Sequence, residues 1–299
     1  MISEPVPHIR HDRISRQTPR IAGDIQFFLS FRCCMAHSTH ERRSFPVLIQ
    51  RGEARDPRLD RRLAFILAGV AGSLNAAAYH AVGFFAGNMT GNVSTLSSLI
   101  ALGQWGHGLF YLAVVATFIA GSALSSLAIE TGLRLKIATI YAHVVLVEAG
   151  LLAVLGVAAP LLAAAERIAC LILGLSFLMG LQNAIVTHIS DARVRTTHIS
   201  GMATDVGIGL ARLIARDRGS EGREDRLRTW VRLRLHVGTI GAFLLGGVLG
   251  VLLYRWRGDL SIAISALPLL AVGIVTLRRT NARLYQKLRA TDELQKIQK

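Results

Sequence analysis

Acidic residues, cysteines and catalytic signatures are what this 299-residue chain has least of. Asp and Glu number 19 against 34 Lys and Arg, for a net charge of +15. The three cysteines are Cys33 and Cys34, vicinal in a basic stretch, and Cys170 in an apolar run. That spacing supports neither a disulfide framework nor a metal site, and Cys170 reads as a small buried apolar residue. There is no nucleophile elbow, phosphate loop, zinc motif or paired-carboxylate signature. No enzyme, cofactor or metal is therefore expected. No nucleic-acid fold motif accompanies the positive charge, so nucleic acid is not an expected partner. Alternation over segments of ~10 residues, the mark of a membrane β-barrel, is missing as well.

What the chain has is apolar length. Hydrophobic residues make up 52% of it and the mean hydropathy is +0.43. Apolar runs at about 63–85, 107–129, 137–159, 168–189, 235–254 and 259–278 approach the ~20 residues that cross a bilayer as a helix. Two shorter, more polar helices are predicted at about 88–103 and 197–215. The charge flanks these runs. Residues 1–62 carry a net +5, residues 216–234 a net +3 and residues 278–299 a net +5. Basic loops mark the cytoplasmic side of a membrane protein. This places both termini and the 216–234 loop on the cytoplasmic side of the membrane. The domain reading is a disordered basic extension over 1–60, a transmembrane domain over 61–280 and a basic tail over 281–299.

The transmembrane part repeats itself. Gly72-Ser73-Leu74-Asn75-Ala76-Ala77-Ala78-Tyr79-His80 returns as Gly180-Leu181-Gln182-Asn183-Ala184-Ile185-Val186-Thr187-His188 at an offset of 108. At an offset of 110, Thr90-Gly91 meets Ser200-Gly201 and Ser94 meets Thr204. At an offset of 125, Phe118-Ile119-Ala120-Gly121 meets Phe243-Leu244-Leu245-Gly246. Two halves follow, about 63–160 and 166–279, each a long helix, a short polar helix and two long helices. If the short helices are re-entrant there are six crossings, and three per half makes the halves inverted. If they span there are eight, and the halves are parallel. Six crossings leave fewer basic residues outside, so the expected fold is an all-α bundle of six spanning and two short helices in two inverted halves.

Paired polar interruptions in corresponding halves point to a transporter-like binding site. The candidate solute-binding residues are Asn75, Thr90, Asn92, Asn183, Ser200 and Thr204. Asn75 and Asn183 lie on the same helix face as Gly72 and Gly180 respectively, and the alternative for them is interhelical hydrogen-bond glue. Gly91 and Gly201 can permit a helix break whose N-terminus meets an anion or polar solute, or Thr90 and Ser200 can be ordinary caps. Glu148 and Asp205 are the ionisable groups at bilayer depth, where charge is costly. The readings for Glu148 are a carboxyl kept uncharged by burial and a proton-coupling group; Asp205 is either a second such group or a structural partner of Arg212. His80 and His188 lack the neighbours a metal needs. The Arg226–Arg234 tract with Trp230 reads first as a solvated basic loop with no specific lipid; the alternative is an interfacial anchor, with anionic lipid as a partner beside the bilayer itself.

Together these blocks resemble the YoaK family of small bacterial multi-pass inner-membrane proteins of unknown function. The resemblance rests on Gly72 through Asn75 to Asn88-Met89-Thr90-Gly91-Asn92, on Gly180-Leu181-Gln182-Asn183-Ala184, and on Arg195-Thr196-Thr197-His198-Ile199-Ser200-Gly201 continuing to Thr204-Asp205. Glu148 in its apolar run fits too, whereas Ser200 stands where members usually carry Thr. The resemblance implies location and fold class and brings no substrate. The functional expectation is a small-solute transporter or permease-like protein, the alternative a membrane scaffold or regulator acting through its basic loop and tails.

Overall fold

In the computed structural model of the chain, residues 57–190, 198–215 and 221–297 are described, and every regular element among them is helical. In chain order they are α1 Pro57–Val82, α2 Met89–Ala101, α3 Trp105–Arg134, α4 Ile140–Ala158 with a 3-10 turn Ala159–Leu161, α5 Ala164–Ser190, α6 Ile199–Ile214, α7 Glu221–Arg257, α8 Leu260–Ile264 and α9 Leu267–Ile297. Sequence chemistry sets the ends. Pro57, at the first position of α1, has no N–H to leave unpaired. Gly83, at φ +68°, ends that helix in the left-handed conformation that side chains avoid. The Asn88 side chain caps α2 by accepting the Gly91 N–H at 3.1 Å.

Six helical segments are long and apolar enough to cross a membrane: Ala64–Val82, Trp105–Arg134, Ile140–Leu161, Ala164–Ile189, Glu224–Arg257 and Leu260–Ala282. They coincide with the six expected runs. The 13 residues of α2 and the 16 of α6 reach about 20 and 24 Å at ~1.5 Å per residue, short of the ~30 Å hydrocarbon core. The protein is thus an all-helical membrane protein. α5 is the most enclosed span, with 61% of its apolar window buried, against 22% for α3 and 17% for α7. The outer helices show large apolar side chains outward, among them Leu112, Ile119, Leu127, Leu244 and Leu249, a belt that suits lipid rather than water.

In lipid, helices gain little from hiding apolar surface, and close approach through small residues does the work. α1 packs most extensively on α7, and α5 on α3. At the α1–α7 crossing, a Cβ on Gly72 would collide with the Phe243 carbonyl and one on Gly246 with the Gly69 carbonyl. At the α5–α3 crossing, a Cβ on Gly180 would collide with the Phe118 carbonyl and one on Gly121 with the Phe177 carbonyl. The two crossings exchange residues separated by 108 and 125 positions, the same offsets at which the sequence matches itself. The short helices follow suit: Gly108 of α3 meets Leu99 of α2, and Leu233 of α7 meets Gly209 of α6.

Helix directions follow from end-to-end contacts. Phe65 of α1 meets Gly238 of α7 and His80 meets the Tyr254 ring edge-on, so α1 and α7 run parallel. Phe118 meets Gly180 and Glu130 lies 4.0 Å from His188, so α3 and α5 run parallel too. Arg167, near the start of α5, donates to the Tyr254 hydroxyl and to Asp259 Oδ1, both at 3.1 Å, at the end of α7. The start of α5 therefore lies at the face where α1 and α7 end, and α5 runs against α1. One face carries the ends of α1 and α7. The other carries the ends of α3 and α5, so His80 and His188 stand at opposite faces and form no pair.

The Arg167–Asp259 contact closes the first of these faces. Nε lies 2.6 Å from Oδ2, and the Asp259 side chain is only 3% exposed. Removing one partner of a buried pair strands the other charge. Arg167→Met should cost about 3 kcal/mol, the low end for such losses, because Arg167 itself is 36% exposed. Unfolding in a denaturing-detergent titration measures it; a loss near zero would mean that Asp259 is solvated.

Two expectations about segments change. The basic stretch 216–234 is not a loop throughout: from Glu221 it is helical, the first turns of α7. Its Arg spacing, broken by Leu227, Trp230, Val231 and Leu233, allows a helix to continue out of the membrane. The expected extension 1–60 lies outside the described residues up to residue 56, and its last positions belong to α1.

Candidate functional site

α2 and α6 start in the middle of the bundle. The C-terminal half of α2 lies along the beginning of α3, with Leu96, Leu99 and Ile100 against Gly108. Its N-terminus is therefore carried to Phe118, near the midpoint of α3. α6 is placed likewise, with Gly209 against Thr229 and Leu233 and its N-terminus near Phe243 of α7. Each is a half-helix that begins at mid-depth and returns to the face its preceding span has just reached.

Between the two N-termini lies a cavity of about 520 Å³ lined by Asn75, Phe85, Gly87, Asn88, Met89, Thr90, Phe118, His198, Ile199, Ser200 and Phe243. Its volume is in the range of small-molecule sites. The lining is paired: Asn88 with His198, Met89 with Ile199 and Thr90 with Ser200 at an offset of 110, and Phe118 with Phe243 at 125. Among the described residues no carboxylate lines it, and His198 is its one titratable residue. Helix first turns leave N–H groups without intrahelical partners. The Asn88 side chain takes the Gly91 N–H; at α6 the N-cap residue His198 makes no side-chain cap hydrogen bond among the described residues. First-turn N–H groups at both helix starts face the cavity end that suits an electron-rich group.

Of the six expected binding residues, Asn75, Thr90 and Ser200 line the cavity. Asn75 is also a brace. Its Oδ1 accepts the Gly87 N–H at 2.9 Å, which turns the chain after α1 back to mid-depth and sets the start of α2. Asn92, Asn183 and Thr204 are not among the lining residues. Asn92, two positions past Thr90 and so on another side of α2, is 5% exposed, and its Nδ2 has no hydrogen-bond partner among the described residues. Asn183 donates to the Met179 carbonyl of its own helix at 2.8 Å. The Thr204 hydroxyl donates to Ser200 O at 3.1 Å, as Ser94 does to Thr90 O at 2.9 Å. The expected Gly91 and Gly201 breaks are replaced by starts two residues earlier, at Met89 and Ile199. Asn88, His198, Phe118 and Phe243 were not read as site residues. The offsets of 110 and 125 were the signal that could have found them.

Glu148 and Asp205 go to different places. Glu148 lies on α4, 1% exposed, facing Gln182 of α5. Its carboxyl shares a hydrogen bond with the fully buried Gln182, and its Oε2 has no further partner among the described residues. Asp205 faces α7, its Oδ2 3.8 Å from His236 Nε2, and makes no pair with Arg212 among the described residues. No cluster of three or more metal-ligating side chains occurs among them.

A six-span helical bundle with a cavity at mid-depth defines a polytopic membrane protein. Residues 63–275 match the family described as Protein of unknown function (DUF1275), and the chain belongs to that family. No curated protein and no solved structure matches it.

Proposed function

We propose that the chain is a permease-like protein of the bacterial inner membrane that passes a small polar solute through the cavity between its halves, without catalysis. The observation that carries this reading is the convergence of two half-helix N-termini, from corresponding positions of the two halves, on one cavity. Half-helices that meet at mid-depth between inverted repeats are a recurrent transporter device. The exchange of contacts at offsets of 108, 110 and 125, together with the opposite directions of α1 and α5, supports an inverted repeat. On this reading the chain sits with the YoaK proteins within its family.

Charge supports the orientation. The face with the ends of α3 and α5 carries Arg61, Arg62, Arg134, Lys136, Arg226 and Arg228 among others. The opposite face has Arg167, neutralised by Asp259, with Arg255 and with Arg257 held over the Trp256 ring. Positive charge inside makes the first face cytoplasmic, with both termini. In a cysteine-free background, Gln104→Cys and Leu162→Cys should react with a membrane-impermeant thiol reagent added to intact spheroplasts. Lys136→Cys should react only after lysis. The reverse pattern would invert the orientation.

Thr90 and Ser200 contact the solute in this reading, with Asn75 holding the floor of the site; Asn92, Asn183 and Thr204 support it from behind. Glu148, buried with an unpartnered oxygen, couples protons, and Asp205 takes no part at the cavity. Uptake of a panel of labelled polar solutes into proteoliposomes tests it. Asn75→Ala should lower uptake about tenfold or more, as expected when the part-buried Gly87 N–H loses its acceptor, and Thr204→Ala should leave it near wild type. Uptake that Asn75→Ala with Asn183→Ala leaves unchanged would sink the proposal.

A further inference from the structure

A second pocket, of about 210 Å³, lies between α6 and α7 and is lined by Asp205, Ile208, Gly209, Arg212, Thr229, Arg232, Leu233 and His236. It belongs to neither the cavity nor its half-helix N-termini. It sits where the basic start of α7 gives way to the apolar run that begins at Leu235. In the orientation above, that is the cytoplasmic boundary of the bilayer. Trp230, 46% exposed, marks the same level, since Trp concentrates at membrane–water interfaces.

The charge in this pocket is unbalanced. Arg212 comes from α6 and Arg232 from α7, and neither guanidinium has an acidic partner among the described residues. Arg228, by contrast, faces Glu224 at 3.6 Å one turn away. The pocket's one carboxylate among the described residues, Asp205, is turned to His236. Two guanidinium groups on separate helices, with an imidazole beside them, suit an oxyanion presenting several acceptor oxygens. Arg is the side chain fitted to phosphate by its planar fork of donors. Leu233 and Ile208 give the same pocket an apolar wall.

We propose that Arg212, Arg232 and His236 form a binding pocket for a phosphate group, carried by an anionic phospholipid of the inner leaflet or by a soluble phosphate ester. A lipid phosphate fits the depth of the pocket and its apolar wall. A bound phosphate would tie α6, and with it the cavity end of that half-helix, to α7. The site is a defined pair from two helices rather than the whole Arg226–Arg234 tract.

The test uses the full chain purified in mild detergent. Native mass spectrometry after equilibration with phosphatidylglycerol and phosphatidylcholine counts retained lipid. Thermal unfolding with millimolar inorganic phosphate reads the soluble arm. Wild type and the exposed-tract variant R226Q/R228Q should retain one phosphatidylglycerol. R212Q/R232Q should lose it by about tenfold or more, the scale of losing a charged partner, with unchanged elution and helical circular dichroism. R212K/R232K should recover part of the binding. Stabilisation by inorganic phosphate that R212Q/R232Q abolishes, without lipid retention, would support the site and assign it to the soluble source. Equal loss in both double variants, or binding of neither probe by wild type, would overturn it. A failure of solute uptake would leave this result untouched.

Discussion

Gly72→Val combined with Gly180→Val should leave the chain unable to assemble its bundle. Even a single Cβ at either position meets a backbone carbonyl, of Phe243 or of Phe118, and a backbone cannot swing aside as a side-chain tip can. Each substitution forces its helix pair apart at its tightest point. Overpacking of this kind costs about 1–3 kcal/mol per site and sometimes more. The two crossings use different helix pairs, so the costs should add. A combined loss of roughly 2–6 kcal/mol is comparable with the whole stability of many domains. The monodisperse peak in detergent gel filtration should disappear, and each single variant should lower the unfolding midpoint. Gly150→Val and Gly241→Val, where an added Cβ meets nothing within 4 Å, should behave as wild type. Equal behaviour of the two pairs would show that these crossings are not what holds the bundle.

Replacing Glu148 and Gln182 together by Met should raise stability and remove proton-driven uptake. The two side chains are buried, 1% and 0% exposed, and share a hydrogen bond. Desolvating two polar side chains costs more than one shared hydrogen bond returns, so apolar residues of similar volume should stabilise the α4–α5 contact. In the permease reading proposed above, the Glu148 carboxyl is the proton-coupling group. The variant should melt higher than wild type, and an imposed pH gradient should no longer drive solute into proteoliposomes. Glu148→Met alone should stabilise less, because Gln182 then stays buried without its partner. A variant that melts lower with uptake intact would show that the pair is structural glue.

The two outcomes separate the kinds of information a membrane sequence carries. Gly72 and Gly180 were legible early, since Gly inside an apolar run is conspicuous and the copies match at one offset. Their partners were not, because Phe118 and Phe243 touch those glycines through carbonyl groups, which have no sequence signature. Among the polar residues, Thr90 and Ser200 line the cavity because each lies in the first turn of a half-helix. Asn75 lines it too, while its amide oxygen holds Gly87. Asn183, its copy, turns its amide to Met179 and is not in the cavity lining.

The sequence by itself determined the six long apolar runs, the two shorter polar segments and the uneven charge, and left open whether those two segments cross. All three depend on properties local to ~20 residues: hydropathy, caps and flanking charge. Only the tertiary structure decided that α1 and α5 run in opposite directions, that two half-helix N-termini share one cavity, and that Arg212 meets Arg232 in another. Those facts rest on contacts such as Arg167 with Asp259, 92 residues apart. In an apolar chain, local pattern says which segments enter the membrane. Which of them touch is set by small residues and buried polar pairs that become neighbours only when the helices pack.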